Sequence, residues 1–573
     1  MKRKKRFIYL YTYLKIAKKM SSVFIRRRVS RREAIGTAAK VAIGVVVAGV
    51  VGGVAGYYAG STTAPPPIRT ETVTRTVTST QTVTQTVTPS VTVTPTPTIT
   101  TVTTPKPTPT PTITTVTTPA PTPTITGPIT MYFEKGWYPE EDEAKKLLVE
   151  RFKKEKGITI DLSIFAEEDA HKKTVAGCMA GIPPDIGFVR MWDWLGQDLA
   201  WKGWLEDIAE LIDVAKEIEV FDWCFDAAYL WDAVEGRRKY CFVPFAIDTV
   251  HFTYWKDLLS EAGMPTEPEE IPLGFDEFTN FWREAQDRLW KVRPDYREKV
   301  YGIGWPSLGG IGINPGDGWA QIAHIMCWYG WDPIKPEGFV LDTPENIQAF
   351  KSAVKWVVEQ YQAGYMPKGI LEWASPDNNK AFHAKQIISV FNASMSIPLY
   401  WYSADKTAYF ELSASLPRMP SAQGRRGLNL WHTFGWYIFK DAKYKDLAKQ
   451  FVKWFLQPEI LNFYMKAAGG RMFPASKMVL EMDPYWREGK ALIDGKKDPH
   501  LPTVYQRLME GPNKPFIHQL IGYPPHIIDC PALVACQKVI TGGYSVDEAV
   551  KEAINTWKEL LKPYEEKIKT FKK

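Results

Sequence analysis

The sequence predicts an α/β fold, and three observations point to it. Residues 129–165, ITMYFEKGWYPEEDEAKKLLVERFKKEKGITIDLSIF, place an apolar run, a helical spacing and a second apolar run in succession. Strand, helix, strand at this spacing is a βαβ unit, which implies a parallel pair. At least four later segments also carry helical spacing, and the globular part shows no internal repeat.

Taken in order, Ile129–Phe133 is a short apolar strand. Residues 140–156 form a helix with Ala144, Leu147, Leu148 and Phe152 on one side, stopped by Gly157. ITIDLSIF (158–165) is the second strand. The later helices are FDEFTNFWREAQDRLW (275–290), NIQAFKSAVKWVVEQYQAG (346–364), YKDLAKQFVKWFL (444–456) and SVDEAVKEAINTWKELLKPYEEKI (545–568). The last three open in contexts that supply caps or early-turn acids.

The chain has 573 residues, 45% apolar and 24% charged, enough for two or three sizeable cores. Trp is abundant, with 22 residues, and 180–208 (AGIPPDIGFVRMWDWLGQDLAWKGWLEDI) holds four of them. That surplus hints at binding, since indole joins a flat apolar face to one N–H donor. The net charge is +7, but residues 1–40 carry fourteen Lys or Arg against Glu33 alone, which leaves −6 for the rest. A mildly acidic body carries no electrostatic footprint for nucleic acid, so none is expected as a partner. The six Cys form no C-x-x-C pair, which argues against a zinc ribbon. Disulfides and buried thiols both stay open.

Three regions precede or make up the globular part. Residues 1–40 are a basic tail, expected in the cytoplasm, in which Ser30-Arg31-Arg32 resembles a twin-arginine export signal. Residues 41–60 contain no charge and have the length to span a ~30 Å hydrocarbon core, as an anchor or the apolar part of a signal peptide. No Cys precedes Cys178, so a lipid-modified Cys is not the anchor, and no clear cleavage site follows; an uncleaved anchor is expected. Residues 61–127 are almost wholly Thr, Val, Pro and Ser, the composition of an extended, disordered stalk.

Catalytic signatures are missing from this sequence: no G-x-S-x-G, H-E-x-x-H or Walker loop occurs. GGIGINPGDG (309–318) lacks the Lys of a P-loop and is expected to be an ordinary loop. The eight His do not cluster at ligand spacing. No catalytic residue, metal site or cofactor is expected. Asn392-Ala393-Ser394 is a glycosylation sequon whose apolar neighbours place it inside the fold or at a cleft.

Several stretches occur in a telling order: the 129–162 opening, AGIPPDIGFVRMWDWLGQDLAWKGWLEDI, YCFVPFAIDTVHFTYWKDLLSEAGM (240–264), NNKAFHAKQIISVFNAS (378–394), and the run from LPRMPSAQGRRGLNLWHTFGWYIF to GGRMFPAS (416–476). Together they resemble the extracellular solute-binding proteins of ABC importers, in the large sugar-binding family that includes maltose-binding proteins. Two departures stand out: Trp255 occupies a position that is commonly Asn, and Ala384 one that is commonly Gly. The resemblance implies a two-lobed periplasmic-binding-protein-like α/β fold with a hinge and an interlobe ligand cleft. It implies lobe 1 from 128–247 plus 412–470, and lobe 2 from 248–411 plus 471–573.

On that footing the chain is expected to capture a carbohydrate at the outer face of the cell membrane and deliver it to ABC permease subunits, without bond chemistry. The stalk and absent lipid-anchor Cys are reminiscent of archaeal cell-surface proteins. The ligand contacts expected are Trp192 and Asp193 in MWDW, Glu134 and Trp137 after the first strand, and Asp248 at the crossover. Trp305, Trp319 and Ser394 are expected from the second lobe, Trp436 from the returning strand and Arg471 near the second crossover. Trp covers the C–H face of a sugar ring while a carboxylate accepts from its hydroxyls. Trp201, Trp204, Trp356, Trp454 and Trp557 lie in helical patterns and are expected to pack in cores. A stalk-anchored glycoside hydrolase and a structural cell-surface protein stay open as alternatives.

Overall fold

The computed structural model describes residues 127–188, 194–311, 316–335, 338–392, 394–420, 431–511 and 530–571. The basic tail, the 41–60 span, nearly all of the stalk, Trp192 and Asp193 lie outside the described residues. In chain order the strands are β1 (Ile129–Glu134), β2 (Ile160–Phe165), β3 (Ile186–Phe188), β4 (Tyr229–Asp232), β5 (Arg237–Tyr240), β6 (Val243–Thr249) and β7 (His251–Trp255). They continue as β8 (Tyr301–Ile303), β9 (Ile334–Lys335), β10 (Gly338–Phe339), β11 (Ile387–Asn392), β12 (Ser413–Ser415), β13 (Trp431–Ile438) and β14 (Phe473–Pro474).

The opening βαβ unit forms as its sequence predicts. β1 and β2 pair in parallel, with Glu134 opposite Phe165. The helix between them, Pro139–Lys156, starts with Pro139 and three acids and ends with lysines and Gly157 at φ 71°. Each of these features suits its end of a helix. Ala144, Leu148, Val149 and Phe152 face inward, while Leu147, expected among them, is half exposed.

Two sheets organise the fold. The first has the order β14-β6-β13-β3-β1-β2 and the second β12-β7-β11-β8. β3 runs parallel to β1, and β13 runs antiparallel to both β3 and β6. Hence the carboxyl ends of β1, β3 and β6 and the start of β13 share one edge. In the second sheet β7 is antiparallel to β11, with His251 opposite Asn392, and β8 is parallel to β11. The start of β7 therefore shares an edge with the ends of β8 and β11. Val250 alone separates β6 from β7, so the two edges meet at this crossover.

Each sheet has its own core. Trp282, Trp305, Trp328, Trp356 and Trp557 fill the second; Phe133, Phe245, Trp436, Trp454 and Trp486 fill the first. Trp356, Trp454 and Trp557 are thus core, as their helical spacing predicts. Trp201 and Trp204 are half-buried rather than fully enclosed. The Trp surplus reads differently in the structure: Trp255, Trp282, Trp305, Trp328, Trp436, Trp454, Trp486 and Trp557 are all fully buried. Packing, rather than binding, takes up much of it.

The chain crosses between the cores more often than the expected boundaries allow. β12, within 412–470, pairs with β7 in the second sheet. Phe473, Trp486, Leu501, Val504 and Leu508, within 471–573, pack in the first core. The chain enters the domain at the opposite edge of the first sheet, where the Ile129 N–H donates to the Thr159 carbonyl at 2.9 Å and Gly127 abuts the Tyr444 ring. Among the described residues no helix is long and apolar enough to cross a membrane.

Candidate ligand-binding site

The facing edges gather the polar side chains that a ligand between the sheets would meet. On the first sheet, β1 ends at Glu134, and the loop behind it presents Trp137, 44% exposed. The turn after helix Pro458–Ala467 brings Arg471 to the same place, where Nη1 donates to Glu134 Oε1 at 3.0 Å and Nη2 to Glu141 Oε1 at 2.5 Å. Lys145 adds a 3.3 Å pair with Glu141 and donates to the Glu134 carbonyl at 2.7 Å. Burial would raise the Glu141 carboxyl, but Arg471 and Lys145 outweigh it and hold it at about 2. The Trp137 backbone N–H donates to Glu141 Oε2 at 3.4 Å, which holds the main chain that carries the exposed indole.

At the crossover, His432 Nδ1 lies 3.0 Å from Asp248 Oδ1, both buried. A carboxylate only accepts, so the proton sits on Nδ1. Arg507, from helix Leu501–Met509, donates to the Val250 carbonyl at 2.6 Å and to Thr249 Oγ1 at 3.2 Å. It clamps Val250, the one residue between β6 and β7. His324, from helix Gly316–Trp328, approaches from the second side; burial depresses it to about 3 against the opposing hydrogen bond with the Ala320 carbonyl, and the Arg507 charge adds to the fall. His251 is held well below its usual value by burial, Arg507 and His500. Burial, the largest cause for both, keeps His251 and His324 in the neutral form.

The second edge is a neutral amide–hydroxyl network. Asn378 Nδ2 donates to Asn392 Oδ1 at 2.9 Å, and Asn392 Nδ2 donates to the Ser394 carbonyl and to Ser396 Oγ, both at 2.9 Å. Asn379 Nδ2 donates to Ser396 Oγ at 2.9 Å, leaving its Oδ1 a buried acceptor with no described partner. Asn392 is the sequon residue, and it is buried in this network.

The structure therefore separates the expected contacts. Glu134, Trp137, Asp248, Ser394 and Arg471 come to the facing edges. Trp305 does not: it stacks on Trp356 at 4.8 Å and 23°, wholly inside the second core. Trp319 lies edge-on to Trp557 at 6.0 Å, and Trp436 is enclosed by Phe133, Phe245, Phe451 and Phe455. Trp192 and Asp193 lie outside the described residues. The Gly309–Gly318 segment is a loop only in part, since Gly316 and Gly318 open a helix. Among the described residues no group of three or more His, Cys, Asp or Glu could hold a metal ion.

Sequence reasoning passed over Arg507, the Asn378–Asn379 pair and His432. The signal for the asparagines was present: two adjacent amides open NNKAFHAKQIISVFNAS, and the structure places them at the start of helix Asp377–His383. Asp185, which ends the Pro-Pro-Asp turn, proves to be a structural residue. Its Oδ2 accepts from the Thr130 N–H and hydroxyl at 2.8 Å each, and its Oδ1 from the Tyr444 N–H at 2.7 Å. It joins the start of β1 to the helix after β13, at the edge away from the crossover.

The profile of the bacterial extracellular solute-binding proteins matches residues 148–503, more than half of the chain. A maltotriose-binding protein of Pyrococcus abyssi is 31% identical over 174 residues, which are 30% of this chain and 31% of that protein. The chain thus matches about a third of that relative's length. The fold is similar to that of an ABC transporter solute-binding protein from Thermotoga lettingae solved with alpha-D-tagatose, with TM-score 0.57, 17% identity, and 76% of this chain and 99% of that one covered. It is likewise similar to a cyclic alpha-maltosyl-1,6-maltose binding protein from Arthrobacter globiformis, with TM-score 0.57, 19% identity, and 76% and 100% coverage. These are binding proteins rather than enzymes, and their two-lobed architecture is that of the two sheets described above. The chain is a member of the bacterial extracellular solute-binding protein family.

Proposed function

We propose that this protein captures a carbohydrate between its two sheets and hands it to the permease of an ABC importer, held at the outer face of the membrane by residues 41–60. One observation carries the ligand class. The facing edges join an exposed indole, Trp137, to a network of amides and hydroxyls around Asn379 and Ser396, with the nearby charges mutually compensated. Hydroxyl-rich, uncharged rings suit such a lining, whereas an anion or a cation would meet no matching excess of charge. The relatives named for maltotriose, tagatose and a maltosyl-maltose point the same way. Glu134, Trp137, Asp248, Ser394 and Arg471 stand on the facing edges and support this reading, and Trp192 and Asp193, four and five residues after β3 in the sequence, are proposed as further contacts.

The test is a thermal-shift and calorimetry series on the full chain in mild detergent, with maltotriose, maltose and tagatose. A sugar present at 100 times its Kd should stabilise by about 2.7 kcal/mol. If none of the three shifts the melt or releases heat, the carbohydrate reading fails. For the anchor, the full chain should float with lipid vesicles, and a chain lacking residues 1–60 should not.

A further inference from the structure

The hydrogen bonds at the end of β11 leave a remainder. Helix Asp377–His383 leads into β11 and packs along it, so its first residues stand beside Asn392, the last residue of the strand. Helix Ser396–Ala404 opens just beyond. Three segments thus bring Asn378, Asn379, Asn392 and Ser396 together. None is charged, and none is more than 8% exposed.

Counting protons and lone pairs shows what is left over. Asn392 commits its whole amide: Oδ1 accepts from Asn378, and the two Nδ2 protons go to the Ser394 carbonyl and to Ser396 Oγ. Asn378 Oδ1 accepts from the Asn379 backbone N–H at 2.8 Å. Ser396 Oγ accepts twice, from Asn392 Nδ2 and from Asn379 Nδ2, at 2.9 Å each. A hydroxyl has two acceptor sites and one proton. Both acceptor sites are filled, so Ser396 keeps only its proton to give, and no described residue takes it. Asn379 is the complement: its Nδ2 is committed and its Oδ1 is a buried acceptor without a partner. Oδ1 and Nδ2 belong to one amide, so the spare acceptor lies beside the spare proton.

A donor and an acceptor side by side suit a group that offers both. A carboxylate or an ether only accepts and an ammonium only donates, whereas an alcohol does both. We propose that Ser396 and Asn379 are specificity-determining residues that read one hydroxyl of the bound carbohydrate in both directions: Ser396 donates to its oxygen, and Asn379 Oδ1 accepts its proton. This rests on the reading of a carbohydrate held between the sheets. Glu134, on the facing edge, can only accept, so any donor satisfies it; the Ser396–Asn379 pair is satisfied by a hydroxyl alone.

The experiment titrates the parent full chain, Ser396→Ala and Asn379→Leu by calorimetry with maltotriose, its monodeoxy analogues and its monodeoxyfluoro analogues, each variant first checked by melting. On the parent, one hydroxyl position should lose about tenfold in affinity as the deoxy sugar, and a similar factor as the fluoro sugar, which keeps an acceptor but not the proton. On either variant maltotriose itself should bind about tenfold more weakly, and removal of that same hydroxyl should then cost nothing further. A merely structural role would lower the melting point and leave the deoxy penalty at its parent value, and that result overturns the pair. A parent that tolerates every deoxy analogue overturns it as well, and the parent series alone decides if neither variant folds. If the parent does not bind maltotriose, the carbohydrate reading has failed separately, and a sugar-free crystal structure of the full chain decides. One ordered water within about 3.2 Å of both Ser396 Oγ and Asn379 Oδ1 upholds a site built for a hydroxyl; none there overturns it.

Discussion

Arg471 and Glu141 are 330 residues apart in the chain, yet Nη2 of one lies 2.5 Å from Oε1 of the other, with both side chains wholly buried. The same guanidinium reaches Glu134, so one planar fork ties the end of β1, the first turn of the next helix and the entry to β14. Truncation would leave two carboxylates without their common cation. Arg471→Ala should cost about 3–5 kcal/mol in denaturant unfolding. Arg471→Lys should recover only part of it, because an ammonium offers no planar fork. A wild-type midpoint for Arg471→Ala would refute the structural role.

Lys490 predicts an alkaline gain in stability. Its ammonium is buried, donates to the Tyr485 hydroxyl at 2.7 Å and lies over the Tyr402 ring at 4.5 Å. Burial lowers it from the usual 10.5 to about 8, against the opposing pull of Asp498 and Asp494. The unfolded chain therefore holds this proton between about pH 8 and 10.5 when the folded chain does not. Stability from this group rises with pH across that window and carries its full penalty below pH 8. The gain should be on the order of 3 kcal/mol. Unfolding curves for the parent and Lys490→Met at pH 7.5 and 10 measure it, and an equal pH response in both would refute it.

Trp137 and Trp436 should part company on substitution. Trp137→Ala removes a rim indole and should weaken maltotriose binding by about 1–3 kcal/mol with little change in melting. Trp436→Ala empties a fully enclosed ring site and should cost about 3–5 kcal/mol of stability. Calorimetry and melting on both variants check the pair; early melting with normal affinity for Trp137→Ala would place that ring in the scaffold instead.

Asp185→Ala should destabilise without altering affinity. It deprives the Thr130 hydroxyl and the Thr130 and Tyr444 N–H groups of their acceptor. A loss of about 1–3 kcal/mol is expected. An unchanged melt combined with lost maltotriose binding would move Asp185 into the site.

What the sequence reveals depends on the range over which each feature is encoded. The opening βαβ unit and the helices Phe275–Val292, Pro344–Gln362 and Lys445–Phe455 come out close to the expected bounds, because apolar spacing and caps lie within a few residues of one another. Trp436 lies on β13 and Trp305 just beyond β8, and both are enclosed in the cores. A strand such as β13, central in a sheet covered by helices, buries both faces, so alternation no longer tells a lining residue from a core one. The Arg471 network was illegible because its members meet only after the chain has folded. Arg507 was missed because nothing in LPTVYQRLM marks which way its one arginine turns.

The entry point at Gly127 and Ile129 has a mechanical consequence. The first described residues lie at the rear of the first sheet, on the side away from the crossover. A pull applied at that point bears on the first sheet alone and does not draw the two sheets apart.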